Sequence, residues 1–281
     1  MTSPTRRGHI PWTETVERAA AIAESYDTGV TLRQLFYRLV SELALPNTQN
    51  AYKELSRHTA AARRNGGFPR LIDQGRSIVR PTFFAGPDDA LRQLHGWYRR
   101  DRTEGQPHAL YLGVEKAGMV EQLAAWFGTP RGIPIVALKG YSSQTLVDVV
   151  ADEITGDDRP AVLLYAGDFD PTGEDVDRDF VERVDAFTEV RRVALNADQV
   201  QTYGLPPLPG KDTDARAAAF AARHGRLMQV ELDALDPDDL RALYADAIGG
   251  YWDDAAFAAV VERERQDRAA LALPDMSGDR R

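Results

Sequence analysis

Apolar residues recur at helical spacing through the first part of the chain, in three runs separated by breaks. TETVERAAAIAESY (Thr13–Tyr26) predicts a first helix behind a Thr13 cap, ended by Asp27-Thr28-Gly29. Thr31 opens a second helix, TLRQLFYRLVSE, with Gln34 placed to complete a capping box. Pro46-Asn47 interrupts again, and a third helix is expected from about Thr48 to Arg64, stopped at Asn65-Gly66-Gly67. PRLIDQGRSIVRPTFF then reads as two short strands around a turn at Asp73-Gln74-Gly75.

Three helices followed by a β-ribbon is the order of a winged helix-turn-helix unit, which places a DNA-binding domain at residues 1–104. A polar helix, DDALRQLHGWYRR (Asp88–Arg100), closes it and leads into RTEGQPH, the candidate linker. Beyond this point the pattern changes. Apolar strands HALYLGVE, IPIVAL, PAVLLYAG and VRRVAL alternate with the helices AGMVEQLAAWF, SQTLVDVVADEI and GEDVDRDFVERVDAF. Continuous apolar strands separated by helices predict an α/β domain over residues 105–281, built on a mainly parallel sheet buried on both faces. The chain from ELDALDPDDLRALYADAI onward reads as helical.

Composition narrows the setting. No apolar run approaches the roughly 20 residues that span a bilayer, so no membrane partner is expected. The start, MTSPTRRGHIPW, has no apolar run behind its arginines and does not read as a signal peptide. There is no cysteine, which excludes disulfides, zinc–thiolate sites and cysteine nucleophiles and fits a cytoplasmic protein. The net charge of −9 argues against nucleic acid until its distribution is considered. Residues 1–104 hold 16 Lys and Arg against 11 Asp and Glu, while the remainder holds 18 against 32. A basic module joined to an acidic one can dock on phosphates through its local field.

Candidate chemistry sits at strand ends. Glu115 ends the first α/β strand, and Asp168 and Asp170 follow the third, in LLYAGDFDPTG. Open α/β sheets bind ligands beyond the carboxyl ends of their strands, so these three carboxylates can converge. Clustered carboxylates repel unless a cation lies among them, and magnesium is the natural occupant. The bland alternative is that Asp170-Pro171 is only a helix cap followed by an N1 proline. Asp168-Phe169-Asp170-Pro171-Thr172 also fits the Asp-x-Asp-x-Thr nucleophile motif of haloacid-dehalogenase-type phosphatases. That motif normally follows the first strand of its domain, and it leaves Glu115 unexplained.

A Glu after the first strand and Asp-x-Asp after a later one is similar to the Toprim domain of topoisomerases, primases and nucleases. VEKAGMVEQL, the Lys139-Gly140 pair, DFDPTG and ELDAL, taken together, resemble the A subunit of topoisomerase VI and its relatives that make meiotic double-strand breaks. The likeness runs from about Thr31 to Ile248, in a chain compact for that family. It implies a catalytic tyrosine in an Arg-x-x-aromatic-Tyr run, here Arg33-Gln34-Leu35-Phe36-Tyr37. Arg33 and Tyr37 would share a helix face, and a guanidinium there favours the phenolate of a group whose ordinary pKa is about 10. The implied reaction is magnesium-dependent transesterification, giving a 5′-phosphotyrosyl link to DNA. Packing is the alternative role for Tyr37, and hydrolysis by water or DNA binding without catalysis are the alternative functions. Tyr52, Tyr98 and Tyr111 lack the motif context.

DNA contacts are expected from Lys53, Arg57, His58, Arg63, Arg64, Arg70, Arg76 and Arg80, with Lys139 beside the acidic site. A solvated basic face is the bland reading of the same residues. Phosphate contacts carry no sequence information. The resemblance further implies a homodimer in which each tyrosine completes the other protomer's metal site, a separate ATPase subunit as possible partner, and a nucleoid-associated location in the cytoplasm.

Overall fold

The computed structural model describes residues 10–26, 29–72, 81–209 and 214–271. The chain begins with α1 (Trp12–Ser25), α2 (Leu32–Ser41) and α3 (Gln49–Arg64). The Thr31 capping box forms as the spacing predicts: Gln34 N–H donates to the Thr31 hydroxyl at 3.1 Å, and Thr31 N–H donates to Gln34 Oε1 at 2.9 Å. Thr48 caps α3, and the helix ends at Asn65 with Gly66 in the left-handed region. The first helix departs from expectation, because it starts at Trp12 and Thr13 does not cap it. Pro11 stands at the cap with its φ fixed near helical values, and the Thr15 hydroxyl donates back to its carbonyl at 3.0 Å.

The expected turn at Asp73-Gln74-Gly75 lies outside the described residues, as do Arg76 and Arg80. Residues 81–84 are not strand, and Ile72 makes only an isolated parallel bridge to Thr31. The next helix, α4 (Pro87–Trp97), stops three residues before Arg100. Tyr98 and Arg100 are both drawn to Asp267, at 2.6 and 2.5 Å, which pulls the chain out of helical geometry.

The stretch read as a linker is pinned. Arg102 pairs with Glu264 at 2.8 Å, and Gln106 exchanges two hydrogen bonds with the backbone of Asp253. Glu264 and Asp267 belong to α12 (Asp254–Ala270) and Asp253 is its cap, so the last helix straps the junction at 104/105.

An α/β region follows, around a four-stranded parallel sheet. Its strands are β1 (Ala109–Val114), β2 (Ile135–Ala137), β3 (Ala161–Ala166) and β4 (Glu189–Ala194), in the order β2-β1-β3-β4. Helical turns from Ala117, including α5 (Val120–Leu123) and α6 (Thr129–Arg131), join β1 to β2. The helices α7 (Gln144–Thr155) and α8 (Gly173–Val184) are the next two crossovers. After β4 come α9 (Ala197–Thr202), a small antiparallel pair of β5 (Leu208–Pro209) with β6 (Met228–Gln229), α10 (Ala217–His224) between them, and α11 (Pro237–Gly249).

Strand side chains alternate between two cores. Tyr111, Leu163 and Tyr165 pack with residues of α7 and α8 on one face. Leu110, Leu112, Val114, Val162 and Leu164 face the other way. That second core continues without a break into Leu35, Phe36, Leu39 and Val40 of α2 and Leu55 of α3. The helical unit and the sheet therefore share one apolar interior. Among the described residues no helix is long and apolar enough to cross a membrane.

Candidate functional site

Backbone register fixes the first two acids. Glu115 follows β1 and Asp168 follows β3, its parallel neighbour, so both leave the sheet at the same edge. Glu115 N–H donates to Ala166 O at 2.9 Å, and Asp168 N–H donates to the Glu115 carboxylate at 2.9 Å. Two further acids, not anticipated from the sequence, complete the group: Glu231 and Asp233. They arrive on the segment after β6, where Val230 exchanges backbone hydrogen bonds with Phe169 and Leu232 N–H donates to Asp168 Oδ1 at 2.8 Å. The string ELDAL contained them, but no strand-end rule marks an acid in a loop whose strands are two residues long.

The cluster holds its own cations. Lys116 Nζ bridges Asp168 Oδ2 at 2.5 Å and Glu231 Oε2 at 2.8 Å. Arg33 reaches in from α2, with its terminal nitrogen 2.6 Å from Glu231 Oε2 and its Nε 3.1 Å from Asp233 Oδ2. Burial, with Glu115 and Glu231 nearby, overrides Lys116 and pushes the Asp168 carboxyl up to about 7. Burial likewise raises Asp233 to about 6 against the pull of Lys116 and Arg33. At Glu231 burial works the same way but loses to Lys116 and Arg33, and the carboxyl is held below its ordinary value. Lys116 is raised by Asp168 and Glu231 despite its burial.

Asp170 is placed differently. Its Oδ1 accepts from Gly173 N–H at 2.7 Å and its carbonyl from Glu174 N–H, so it closes the turn that starts α8. Gly173 has no room for a side chain, because a Cβ there would collide with the Asp168 carbonyl oxygen. Arg192 of β4 braces the same loop, donating to Asp168 O at 2.6 Å and Leu195 O at 3.0 Å while pairing with Asp177 at 2.9 Å.

Among the described residues no three acidic or histidine side chains are arranged to enclose a metal ion. The donor set nevertheless fits a hard cation, since Glu115, Asp168, Glu231 and Asp233 are all carboxylates and Lys116 and Arg33 neutralise only half of them. Burial raises Asp168 and Asp233 first, with the neighbouring carboxylates adding to it.

Glu115, Lys116 and Asp233 line a cleft of about 740 Å³, together with Arg33, Tyr52, Ser56, Arg63, Lys139 and Gly140. Of the expected basic contacts, Arg63 and Lys139 border this cleft, Lys139 with φ of 49° in the left-handed region. Lys53, Arg64 and Arg70 are exposed elsewhere on the helical unit. Arg57 pairs with Glu54 at 2.7 Å, and His58 stacks on Trp12 at 4.5 Å, so both are tied to their own helical unit.

Tyr37 lines a second cavity of about 630 Å³ with Phe36, Asn47, Thr48, Gln49 and Leu208. Arg33 and Tyr52 border both spaces and form the wall between them. The Arg33 guanidinium lies over the Tyr37 ring at 5.9 Å. Tyr37 is 8% exposed, and burial and Glu231 raise its phenol while Arg33 works against them. Tyr98 and Tyr111 have structural roles, on Asp267 and in the core. Tyr52 packs edge-on against Phe36 at 5.3 Å and also borders the acidic cleft.

No known family model matches the chain, and no curated protein sequence matches it either.

Proposed function

We propose that the protein cleaves DNA by transesterification, with Tyr37 as nucleophile on a winged-helix unit and a Toprim-type acidic site supplying the charge. The observation that carries this reading is Arg33, whose guanidinium stands over Tyr37 and also pairs with Glu231 and Asp233. Two segments far apart in sequence, α2 and the stretch after β6, meet at that one side chain. A guanidinium held between a phenol and an acidic cluster can grip a phosphate and offset its charge.

In the step, Tyr37 Oη attacks a backbone phosphorus. The Oη–P bond forms as the bond from phosphorus to the 3′ oxygen breaks. The phenol proton passes to water, and the 3′ oxygen takes up a proton, leaving a 5′-phosphotyrosine and a 3′-hydroxyl. Arg33 opposes the burial of Tyr37 by favouring its phenolate and orients the phosphate. Glu115, Asp168 and Glu231 would hold magnesium, with the Asp170 oxygen not used by Gly173 as a further ligand. Bound there, the ion would neutralise charge on the phosphate. Arg63 and Lys139 supply backbone contacts at the cleft, which gives little base specificity.

The test is a trapping assay. Protein, end-labelled supercoiled DNA and magnesium are mixed, denatured, and examined for DNA joined to protein. An adduct on the 5′ end, lost in Tyr37→Phe and in Asp168→Asn, is the expected result. The deep burial of Tyr37 favours one second reading, a hydrolytic nuclease in which Tyr37 only packs. Cutting without an adduct, undiminished in Tyr37→Phe, would establish that reading instead.

A further inference from the structure

We infer that α4 and the segment before it form the surface on which two copies of this chain pair, antiparallel and across a two-fold axis near Leu94. The pairing stands or falls independently of the cleavage reading above.

The helix α4 has the marks of a packed element. Pro87, Asp88 and Asp89 fill its first turn, and Leu91, Leu94 and Trp97 follow at three-residue steps that keep them on one side. Such a stripe normally faces a core. Here none of the helix's residues is buried. The last helix, α12, holds it along one flank, where His95 Nε2 lies 2.9 Å from Arg268 O and Tyr98 is bound to Asp267. The apolar side is left to solvent, with Leu94 61% and Trp97 58% exposed. The chain before the helix extends the same patch: Phe83 is 80% exposed, and Phe84 lies against Trp97 with ring centroids 6.1 Å apart.

Five of the ten large apolar side chains exposed among the described residues therefore fall between 83 and 97. A covered aromatic side chain buries about 150–250 Å², so the five offer roughly 500 Å² per copy and about 1,000 Å² between two, where specific interfaces begin. A contiguous patch of this kind marks an interaction surface on a soluble protein.

Charge indicates what covers it. Acids stand at the start of α4, at Asp88 and Asp89, and bases at its end, at His95 and Arg99. An antiparallel second copy meets each end with the opposite sign, whereas a parallel one sets like against like. With Leu94 on the axis, Leu91 of each copy falls against Trp97 of the other, and Asp88 against Arg99. Asp88 has no ion-pair partner among the described residues. Arg99 gives one terminal nitrogen to the Gly96 and Tyr98 carbonyls, and among the described residues its other terminal nitrogen has no partner. A surface that complements itself in this way closes on one further copy and stops there. Stacked nucleobases would also suit Phe83, Phe84 and Trp97, but the accompanying phosphates would meet Asp88 and Asp89.

Two measurements on the full chain test this. The chain has no cysteine, so Leu94→Cys places one thiol per copy at the centre of the pairing. A short bismaleimide is expected to join two copies through it, giving a product of twice the chain mass on a denaturing gel. Leu43→Cys, on the exposed turn after α2, is the control and gives none. Cross-linking at Leu43 without cross-linking at Leu94 would overturn the inference. In the second measurement, sedimentation at micromolar concentration is expected to give twice the chain mass for the wild type and the single-chain mass for Leu94→Asp. Asp88→Arg and Arg99→Asp should each weaken pairing several-fold, and the two together should restore it, a rescue that misfolding would not give. A wild type of single-chain mass, a Leu94→Asp variant still of double mass, or a double charge variant no better than its parents would each overturn the inference. So would a Trp97→Ser variant that keeps the wild-type mass but loses affinity for a single-stranded oligonucleotide.

Discussion

Lys116 Nζ lies within hydrogen-bonding distance of both Asp168 and Glu231, at 2.5 and 2.8 Å, and so occupies the centre of the acidic group from within the chain. Its side chain is 18% exposed, and the two carboxylates are more deeply buried still. Removing one member of a buried charge group leaves the others uncompensated, which commonly costs about 3–5 kcal/mol. Lys116→Met is therefore expected to lower the urea midpoint strongly at pH 8 and much less at pH 5, where carboxyl protonation relieves the imbalance. An equal loss at both values would show that Lys116 matters through packing alone.

The raised carboxyls make the metal-free protein less stable as pH rises. Asp168 moves from 3.8 to about 7 and Asp233 from 3.8 to about 6, so the folded state keeps protons that the unfolded chain gives up. Below about pH 4 both states are protonated and nothing is lost. Between there and pH 6 both groups cost stability, each by roughly 1.4 kcal/mol per pH unit at most, and between 6 and 7 Asp168 alone does so. Glu231, held low by Lys116 and Arg33, acts in the opposite sense only below its ordinary value of 4.5. Denaturation with a chelator present should show the slope flatten above pH 7. Asp168→Asn should remove the part between 6 and 7.

Gly173 sets how near α8 comes to the Asp168 carbonyl. A methyl group there must push the loop outward, at an expected cost of about 1–3 kcal/mol. Because Arg192 and Gly173 grip the same loop, Gly173→Ala should weaken DNA cleavage more than it lowers the melting temperature. A variant that loses stability but cleaves at the wild-type rate would rule out this role for the loop.

The buried amide pair Gln34–Gln122 joins α2 to the turn after β1. Gln34→Leu leaves Gln122 Oε1 without its donor and Thr31 N–H without its side-chain acceptor, and should cost about 1–3 kcal/mol. Gln34→Leu/Gln122→Leu should recover the part due to the stranded Gln122 oxygen but not the part due to Thr31 N–H, so the two substitutions should be less than additive. A double variant whose loss equals or exceeds the sum of the single losses would contradict this. Chemical denaturation of the three variants against wild type completes the cycle.

Much of the architecture was legible because it depends on local rules. The capping box at Thr31/Gln34, the stop at Asn65-Gly66 and the four apolar strands each follow from neighbours in sequence. The pairing of Glu115 with Asp168 was also legible, since parallel strands deliver their ends to one edge. Asp170 was ambiguous for the same reason: Asp-Pro at a strand end serves as a helix start and as a ligand, and its bond to Gly173 satisfies the first use.

What the sequence could not determine depends on contacts between distant segments. Nothing local marks Glu231 and Asp233, because β6 is too short to carry a strand pattern and only its contact with Phe169 and Asp168 brings them in. Nothing local shows that Arg33 pairs with them, or that Lys116 sits between acids. The junction at 104/105 read as a linker because its residues are polar and its partner, α12, lies at the far end of the chain. Side-chain periodicity and turn chemistry act over a few residues and fixed the elements. Burial and charge act through space, and only the tertiary structure decided which acids share a cation and which tyrosine lies beside them.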